Sequence, residues 1–323
     1  MKVLVTGSDG FVGKNLLVKL AENSIDFVCF SRRHAVDDLV SLLTDIDFVF
    51  HLAGVNRPQD PNDFDKQNRE LTARLCEAIQ KTGRAIPVVF TSSIQAAYDN
   101  AYGISKKFAE EALIQLNKAI QSPIYLYRLP NVFGKWAKPN YNSVVATFCH
   151  NIAQDLPIRI DDPSKIVPLI YIDDLLESFM DLLRNPQFGV SRPVVKPEYS
   201  ISVGMLASQI KAFHDSRSAL MTEEVGIGLT RALYATYLSY LRPEQFAYVV
   251  PAYEDSRGRF VEMLKTKDSG QFSFFTANPG ITRGGHYHHT KSEKFLVLQG
   301  LARFGFRNIL TNETFELSVD GLS

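Results

Sequence analysis

The sequence predicts an α/β doubly wound parallel sheet followed by a smaller β-rich domain, on two observations. Up to about residue 185, short apolar runs alternate with amphipathic stretches, the pattern of βαβ units. From Pro251 onward the texture changes to short Gly-, Thr- and aromatic-rich runs without a long helix. The strand-like runs lie at residues 3–5, 27–30, 48–52, 87–90 and 124–127. They are β-branched or aromatic and bounded by polar turns. Between them, residues 14–22, 68–81 and 105–118 place apolar side chains at three- and four-residue spacing, as helices packing on a sheet require. Residues 200–241 read as mostly helical. The boundary is expected near Arg242-Pro243-Glu244, giving domains 1–243 and 244–323.

Composition narrows the function classes. The 323 residues carry 35 Lys+Arg against 35 Asp+Glu, so no general affinity for nucleic acid or an anionic membrane is expected. The 3 cysteines, Cys29, Cys76 and Cys149, have no paired spacing, which fits a reducing compartment. The opening apolar run is too short for a signal or membrane-spanning segment, and a cytoplasmic location is expected.

The first strand runs into Thr6-Gly7-Ser8-Asp9-Gly10-Phe11-Val12-Gly13, a G-x-x-G-x-x-G loop that opens a helix. Glycines permit a tight turn and close approach of a pyrophosphate to backbone, and the helix N-terminus offers it free N–H groups. Gly7, Gly10, Phe11, Val12 and Gly13 are therefore candidate dinucleotide contacts. The second strand ends in Ser31-Arg32-Arg33, where an NAD site would carry an acid for the ribose hydroxyls. Guanidinium groups at Arg32 and Arg33 suit a 2′-phosphate and favour NADPH, the bland alternative being two solvated surface arginines. Leu52-Ala53-Gly54 ends the third strand with small residues that admit the cofactor, whereas His51 reads as packing or capping.

Tyr102 and Lys106 stand four apart and share one helix face. A neighbouring ammonium is expected to lower the phenol pKa, so that Tyr102 passes a proton to or from a carbonyl oxygen. Lys106 also suits the nicotinamide ribose, and Ser93, after the strand ending at Phe90, suits the same carbonyl. Alone, a Y-x-x-x-K pair is also what a solvated helix face would show. In order with the glycine loop and the serine, it is catalytic chemistry.

Together these residues resemble the extended short-chain dehydrogenase/reductase family, Rossmann-type enzymes that act on nucleotide sugars. Arg128-Leu129-Pro130-Asn131-Val132-Phe133-Gly134 is similar to that family's R-x-x-N-V-Y-G, which implies a substrate contact for Asn131. Pro139-Asn140-Tyr141-Asn142-Ser143-Val144 and Tyr171-Ile172-Asp173-Asp174 resemble its substrate-domain segments and imply substrate contacts at Asn140 and Asn142. Asp173 and Asp174 read as a helix N-cap and first-turn acid. The gap between Ser93 and Tyr102 is short for the family, which implies a shortened loop at the pocket rim.

Near the C-terminus, His286 and His288 lie two apart, so on a strand they share a face, and Glu293 returns on the next strand. Such a set suits zinc or another divalent metal. The run Gly280 to Gly300 matches the spacing G-x5-H-x-H-x4-E-x6-G and resembles the first cupin motif. The cupin's later histidine motif is absent, so an incomplete jelly roll is expected. Asp255-Ser256-Arg257-Gly258-Arg259-Phe260-Val261-Glu262 resembles keto-sugar epimerases, which leaves His286 as metal ligand or general base. A reductase followed by a cupin resembles the bifunctional capsular-polysaccharide enzymes that make UDP-N-acetyl-L-talosamine. That resemblance implies a UDP-sugar substrate, epimerisation beside a 4-keto group, reduction by NADPH and a homodimer. An epimerase or dehydratase that retains NAD and a non-catalytic nucleotide-binding scaffold are the rival classes.

Overall fold

The computed structural model describes residues 1–57, 60, 64–268 and 270–321. In chain order its elements are β1 (Lys2–Thr6), α1 (Phe11–Glu22), β2 (Asp26–Phe30), α2 (Asp38–Leu42), β3 (Phe48–His51), α3 (Leu71–Thr82), β4 (Val88–Ser93), α4 (Ala101–Ile120) and β5 (Ile124–Leu129). Then come β6 (Asn131–Phe133), α5 (Val144–Ala153), β7 (Ile166–Tyr171), α6 (Ile172–Arg184), β8 (Val190–Ser191), β9 (Tyr199–Ser202), α7 (Val203–Ala219), β10 (Met221–Thr222) and α8 (Gly228–Leu238). The C-terminal strands are β11 (Ala252–Asp255), β12 (Gly258–Thr266), β13 (Gln271–Phe275), β14 (Leu301–Arg307) and β15 (Thr314–Asp320).

The main sheet has the order β2-β1-β3-β4-β5-β8, parallel throughout. Alternation along the strands builds a core on each face. Val3, Val5, Phe48, Phe50 and Tyr127 pack with Leu16 and Leu20 of α1 and Phe179 of α6. Leu4, Val49, Phe90 and Leu126 face the other way, against Leu75 of α3 and Leu113 of α4. Phe50 is fully buried, and its truncation to alanine would cost about 3–5 kcal/mol. Because the chain steps from β1 to β2 and then back past β1 to β3, the order reverses between β1 and β3. A ligand crevice lies outside the carboxyl ends of strands at such a switch point. A smaller sheet, β6-β7-β9, follows Arg128 and carries the segments after β5.

The chain forms two compact units that do not divide at a single point in the sequence: Met1–Ala252 with Val261–Phe274, and Tyr253–Phe260 with Phe275–Ser323. In the first unit, Met221 and Thr222 of β10 pair in parallel with Lys265 and Thr266 of β12. The second unit is β-rich, with β14 and β15 in an antiparallel ladder from Leu301↔Asp320 to Arg307↔Thr314. Among the described residues no helix is long and apolar enough to cross a membrane. Cys29, Cys76 and Cys149 are all free thiols.

Candidate active site

The glycine loop sits at the switch point as its sequence requires. Gly7 adopts φ +72°, and a Cβ there would stand 2.6 Å from the Ala53 nitrogen, so the β1 turn lies directly against the end of β3. Gly10 caps α1 from an extended conformation, and the first turn-closing bond runs from Lys14 N to the Gly10 carbonyl at 2.9 Å. The N–H groups of Phe11, Val12 and Gly13 therefore open the helix without intrahelical partners. This donor set fits a dinucleotide pyrophosphate.

Beneath the loop, His51 is wholly buried between two hydroxyls. Its Nδ1 pairs with Thr6 Oγ1 and its Nε2 with Thr72 Oγ1, each at 2.8 Å. Burial first, and the Lys106 charge second, push its pKa down to about 3, so it is a neutral packing residue. Thr6 Oγ1 also accepts from Ala53 N at 3.2 Å, tying β1 to Leu52-Ala53-Gly54. Arg32 and Arg33 lie exposed just beyond β2, and Arg32 Nη2 donates to Gln67 Oε1 at 3.1 Å.

Helix α4 starts at an Asn100 cap, whose side chain accepts from Gly103 N at 2.9 Å. A 3-10 turn, Ile94–Ala97, fills the short gap between Ser93 and Tyr102, and Ser93 Oγ caps it by accepting from Gln95 N at 3.2 Å. Ser93 hydrogen-bonds the half-buried Tyr102 phenol. Lys106 is buried, and its Nζ donates to the Thr91 carbonyl at 2.9 Å and stands 4.7 Å over the Phe90 ring. A Cβ on Gly54 would stand 3.1 Å from that Nζ, so the lysine reaches the end of β3. Ser93, Tyr102 and Lys106 thus converge beside the glycine loop.

The expected direction of the Tyr102 shift is reversed. Burial raises the phenol pKa and outweighs the Ser93 hydrogen bond, with the nearby Tyr141 adding to the rise. Lys106 spends its ammonium on the Thr91 carbonyl instead, and burial lowers its own pKa to about 8 against the opposing pull of Glu110. A phenol that stays protonated at neutral pH is the form a general acid requires.

The segments beyond β5 carry the remaining candidates, all exposed or half-buried. Asn131 opens β6 exposed, its Nδ2 donating to the Pro168 carbonyl at 3.1 Å. Asn140 takes φ +53°, its backbone N–H donating to Thr147 Oγ1 at 3.0 Å, and Asn142 is exposed nearby. Tyr171, not Asp173, is the N-cap of α6, and both aspartates lie in its first turn. Asp173 there accepts from Lys135 Nζ at 2.8 Å.

Three contributors were not singled out in the sequence. Asn68, on a π-helical turn Asp65–Glu70, bonds both the N–H and the carbonyl of Val55 (2.9 and 3.0 Å) and donates to Ser105 Oγ at 2.9 Å. Its one sequence trace is a polar pair, Asn68 and Thr72, four apart on an otherwise apolar helix face. Glu110 is the second, buried behind Lys106 and gripped by Arg128 and Ser92. Arg57 is the third, its Nη1 donating to the Tyr141 carbonyl at 2.6 Å.

In the second unit, the nearest ligand atoms of His286, His288 and Glu293 all lie within 4.8 Å of one another. They are not on strands, because Gly284 (φ +108°) and Gly285 (φ +76°) turn the chain immediately before His286 and no ladder forms there. Ligand atoms about 2.1 Å from one ion lie at most about 4.2 Å apart. The donor set therefore fits a divalent metal after small side-chain movement. Lys291 Nζ stands 2.8 Å from Glu293 Oε1, and that ion pair first and His288 later lower the Glu293 pKa.

Residues 3–196 match the NAD dependent epimerase/dehydratase family, and residues 253–323 match the polysaccharide biosynthesis C-terminal domain. A curated UDP-2-acetamido-2,6-beta-L-arabino-hexul-4-ose reductase from Pseudomonas aeruginosa is 57% identical over 322 residues, 99% of this chain and 87% of that protein. The crystal structure of the capsular polysaccharide assembling protein CapF from Staphylococcus aureus matches with a TM-score of 0.88 and 37% identity, over 99% of this chain and 88% of that one. UDP-glucose 4-epimerase from Thermus thermophilus, solved with NAD, shares the fold at 16% identity and a TM-score of 0.61, over 74% of this chain and 99% of that one. The chain belongs to the NAD dependent epimerase/dehydratase family, with a polysaccharide biosynthesis domain at its C-terminal end.

Proposed function

We propose that this chain is an NADPH-dependent reductase of a UDP-linked 4-keto-6-deoxy-N-acetyl-hexosamine, coupled to metal-assisted C3 epimerisation in its C-terminal unit. The product is UDP-N-acetyl-L-talosamine, the precursor of N-acetyl-L-fucosamine for capsule or O-antigen. The observation that carries the reading is the convergence of Ser93, a protonated Tyr102 phenol and Lys106 beside the glycine loop. The Pseudomonas relative, named as a reductase of a UDP-linked hexul-4-ose, supports the substrate class.

NADPH, when bound, supplies the hydride. The N-terminal turn of α1 (Gly7, Gly10, Phe11, Val12, Gly13) would hold its pyrophosphate, Arg32 and Arg33 its 2′-phosphate, and Leu52, Ala53 and Gly54 its inner edge. Lys106 would hold the ribose of the nicotinamide. Ser93 orients the ketone oxygen, and Tyr102 gives it the proton that completes the alcohol. Asn131, Asn140 and Asn142 are assigned to the sugar nucleotide.

In the C-terminal unit, a cupin by our reading, His286, His288 and Glu293 would hold a divalent ion, zinc by preference. Such an ion, when bound, polarises the ketone and stabilises charge that develops when the neighbouring carbon is deprotonated. His286 as general base is the alternative within that site. The free thiols and the relatives' sugar-nucleotide chemistry support a cytoplasmic enzyme, which we assign as a homodimer.

The test is mass spectrometry of products formed from a UDP-4-keto-6-deoxy-N-acetyl-hexosamine and NADPH in D2O. NADPH consumption, a reduced UDP-sugar and deuterium beside the former ketone are expected. Turnover without net NADPH consumption, with NAD co-purifying, would replace this reading with a retaining epimerase or dehydratase.

A further inference from the structure

Tyr102, Lys106 and Glu110 follow one another at four-residue intervals on α4, and each meets the end of β4. Tyr102 meets Ser93, Lys106 the carbonyl of Thr91, and Glu110 the hydroxyl of Ser92. Glu110 is buried and fully engaged. Ser92 Oγ donates to its Oε1 at 2.5 Å, Arg128 Nε donates to Oε1 at 2.9 Å, and Arg128 Nη2 donates to Oε2 at 2.6 Å. These bonds join α4 to β4 and to β5 at the level of the candidate site. The Glu110 carboxylate is buried although its Arg128 partner lies exposed, and a desolvated charge is a costly way to join two elements compared with apolar packing, so its presence here calls for another role.

We infer that Glu110 is a positioning residue of the reduction site. Clamped by Ser92 and Arg128, it pins α4 in the register that presents Tyr102 and Lys106 to the cleft, and it is the anion that faces the Lys106 ammonium. The inference rests on the reading of Tyr102 and Lys106 given above. The groups facing Lys106 are Tyr102 and Glu110 from α4, neutral His51 from β3, and the Thr91 carbonyl and Phe90 ring from β4. The Asn68 amide completes them, bordering Gly54 together with the lysine. Behind Glu110 stand Arg128 and Arg192. Burial alone would raise the Glu110 pKa, but Arg128, Ser92 and Arg192 together bring it below the usual value, so the carboxylate is charged.

The experiment is the pH profile of kcat/KM in four proteins: parent, Glu110→Gln, Arg128→Met and Lys106→Met. Burial holds the Tyr102 phenol above its ordinary range and lowers Lys106 to about 8, so the alkaline limb is expected to follow Lys106. Glu110→Gln removes the anion and leaves Arg128 uncompensated, and both changes disfavour the ammonium. Its limb should move down by about one pH unit. Arg128→Met leaves the anion, still bonded by Ser92, without its neutralising partner, and its limb should move up. Loosened packing would lower turnover in both variants without moving the limbs apart. Limbs that stay at the parent pH, or move the same way in both variants, overturn the inference. If Glu110→Gln fails to fold by circular dichroism, Arg128→Met decides alone: an upward limb supports the role and an unchanged one ends it. A Lys106→Met protein that keeps parent turnover and the parent limb would instead overturn the reading of Lys106 itself.

Discussion

Gly13→Ala isolates how tightly the cofactor loop is built. A Cβ at this position would stand 2.3 Å from the Gly7 carbonyl oxygen, 2.7 Å from Ser8 Cα and 2.9 Å from the Ser8 carbonyl carbon. All three are backbone atoms, so no side chain can swing aside, and α1 or the Gly7 turn must retreat by roughly 1 Å to reach ordinary contact. Helix propensity favours alanine by about 1 kcal/mol, while overpacking of this kind costs about 1–3 kcal/mol. The net loss of stability is then about 0–2 kcal/mol, a fall in Tm of at most roughly 8 °C for a unit this size. The larger effect falls on NADPH. Displacing the first turn of α1 by about 1 Å removes at least one charge-assisted hydrogen bond, worth about 1.5–3 kcal/mol, and so at least about tenfold in affinity. Gly10→Ala is the contrast, because Gly10 sits at φ −77° and its Cβ would meet only the Gly7 oxygen at 3.2 Å. Thermal melts with and without NADPH, together with a fluorescence titration, measure both effects. A Gly13→Ala protein that melts with the parent and binds NADPH equally would refute the close-packed loop.

Four further outcomes are expected. Tyr102→Phe should abolish ketone reduction while NADPH binding stays near the parent value, since only the proton-donating oxygen is lost; stopped-flow turnover and a binding titration check this. Arg32→Ala combined with Arg33→Ala should erase a preference for NADPH over NADH, and equal affinity for the two cofactors in the parent would show the arginines to be surface residues only. His51 has a folded pKa of about 3 against about 6.5 unfolded, so the unfolded chain takes up its proton first and stability must fall as pH drops from about 6.5 towards 3. Urea midpoints of the parent between pH 7 and 5 should fall more steeply than those of His51→Gln, and equal slopes would contradict a buried neutral imidazole. Chelation, or His286→Ala with His288→Ala, should remove bound metal and deuterium wash-in while reduction of an already epimerised substrate continues; retained metal would dismiss this ligand set.

The sheet was legible because its strands are short apolar runs, buried on both faces, set between amphipathic helices. Val3 and Val5 face one core and Leu4 the other, and the same parity continues through Val49, Phe50 and Phe90. The Tyr102–Lys106 pair was legible because a helix fixes which residues are neighbours. The sign of the Tyr102 shift was not, since it depends on how deeply the phenol is buried and on where Lys106 sends its ammonium. Asn68, Glu110 and Arg57 act through partners 13, 18 and 84 positions away, a separation that local spacing cannot encode. At the other end, period-two reasoning placed His286 and His288 on a strand, yet two successive left-handed glycines redirect the chain before them and irregular backbone brings the donors together.

The π-helical turn at Asp65–Glu70 has a consequence for the backbone after β3. Val55 takes both of its backbone hydrogen bonds from the Asn68 side chain rather than from a neighbouring strand. At Val55 the backbone after β3 is therefore fixed by a side chain of the helix entrance. Widened turns of this kind carry an extra residue, and losing it would rotate Asn68 by about 100° away from the loop. Val55 and the entrance to α3 are thus held by one side chain, so a change that frays the turn loosens both together.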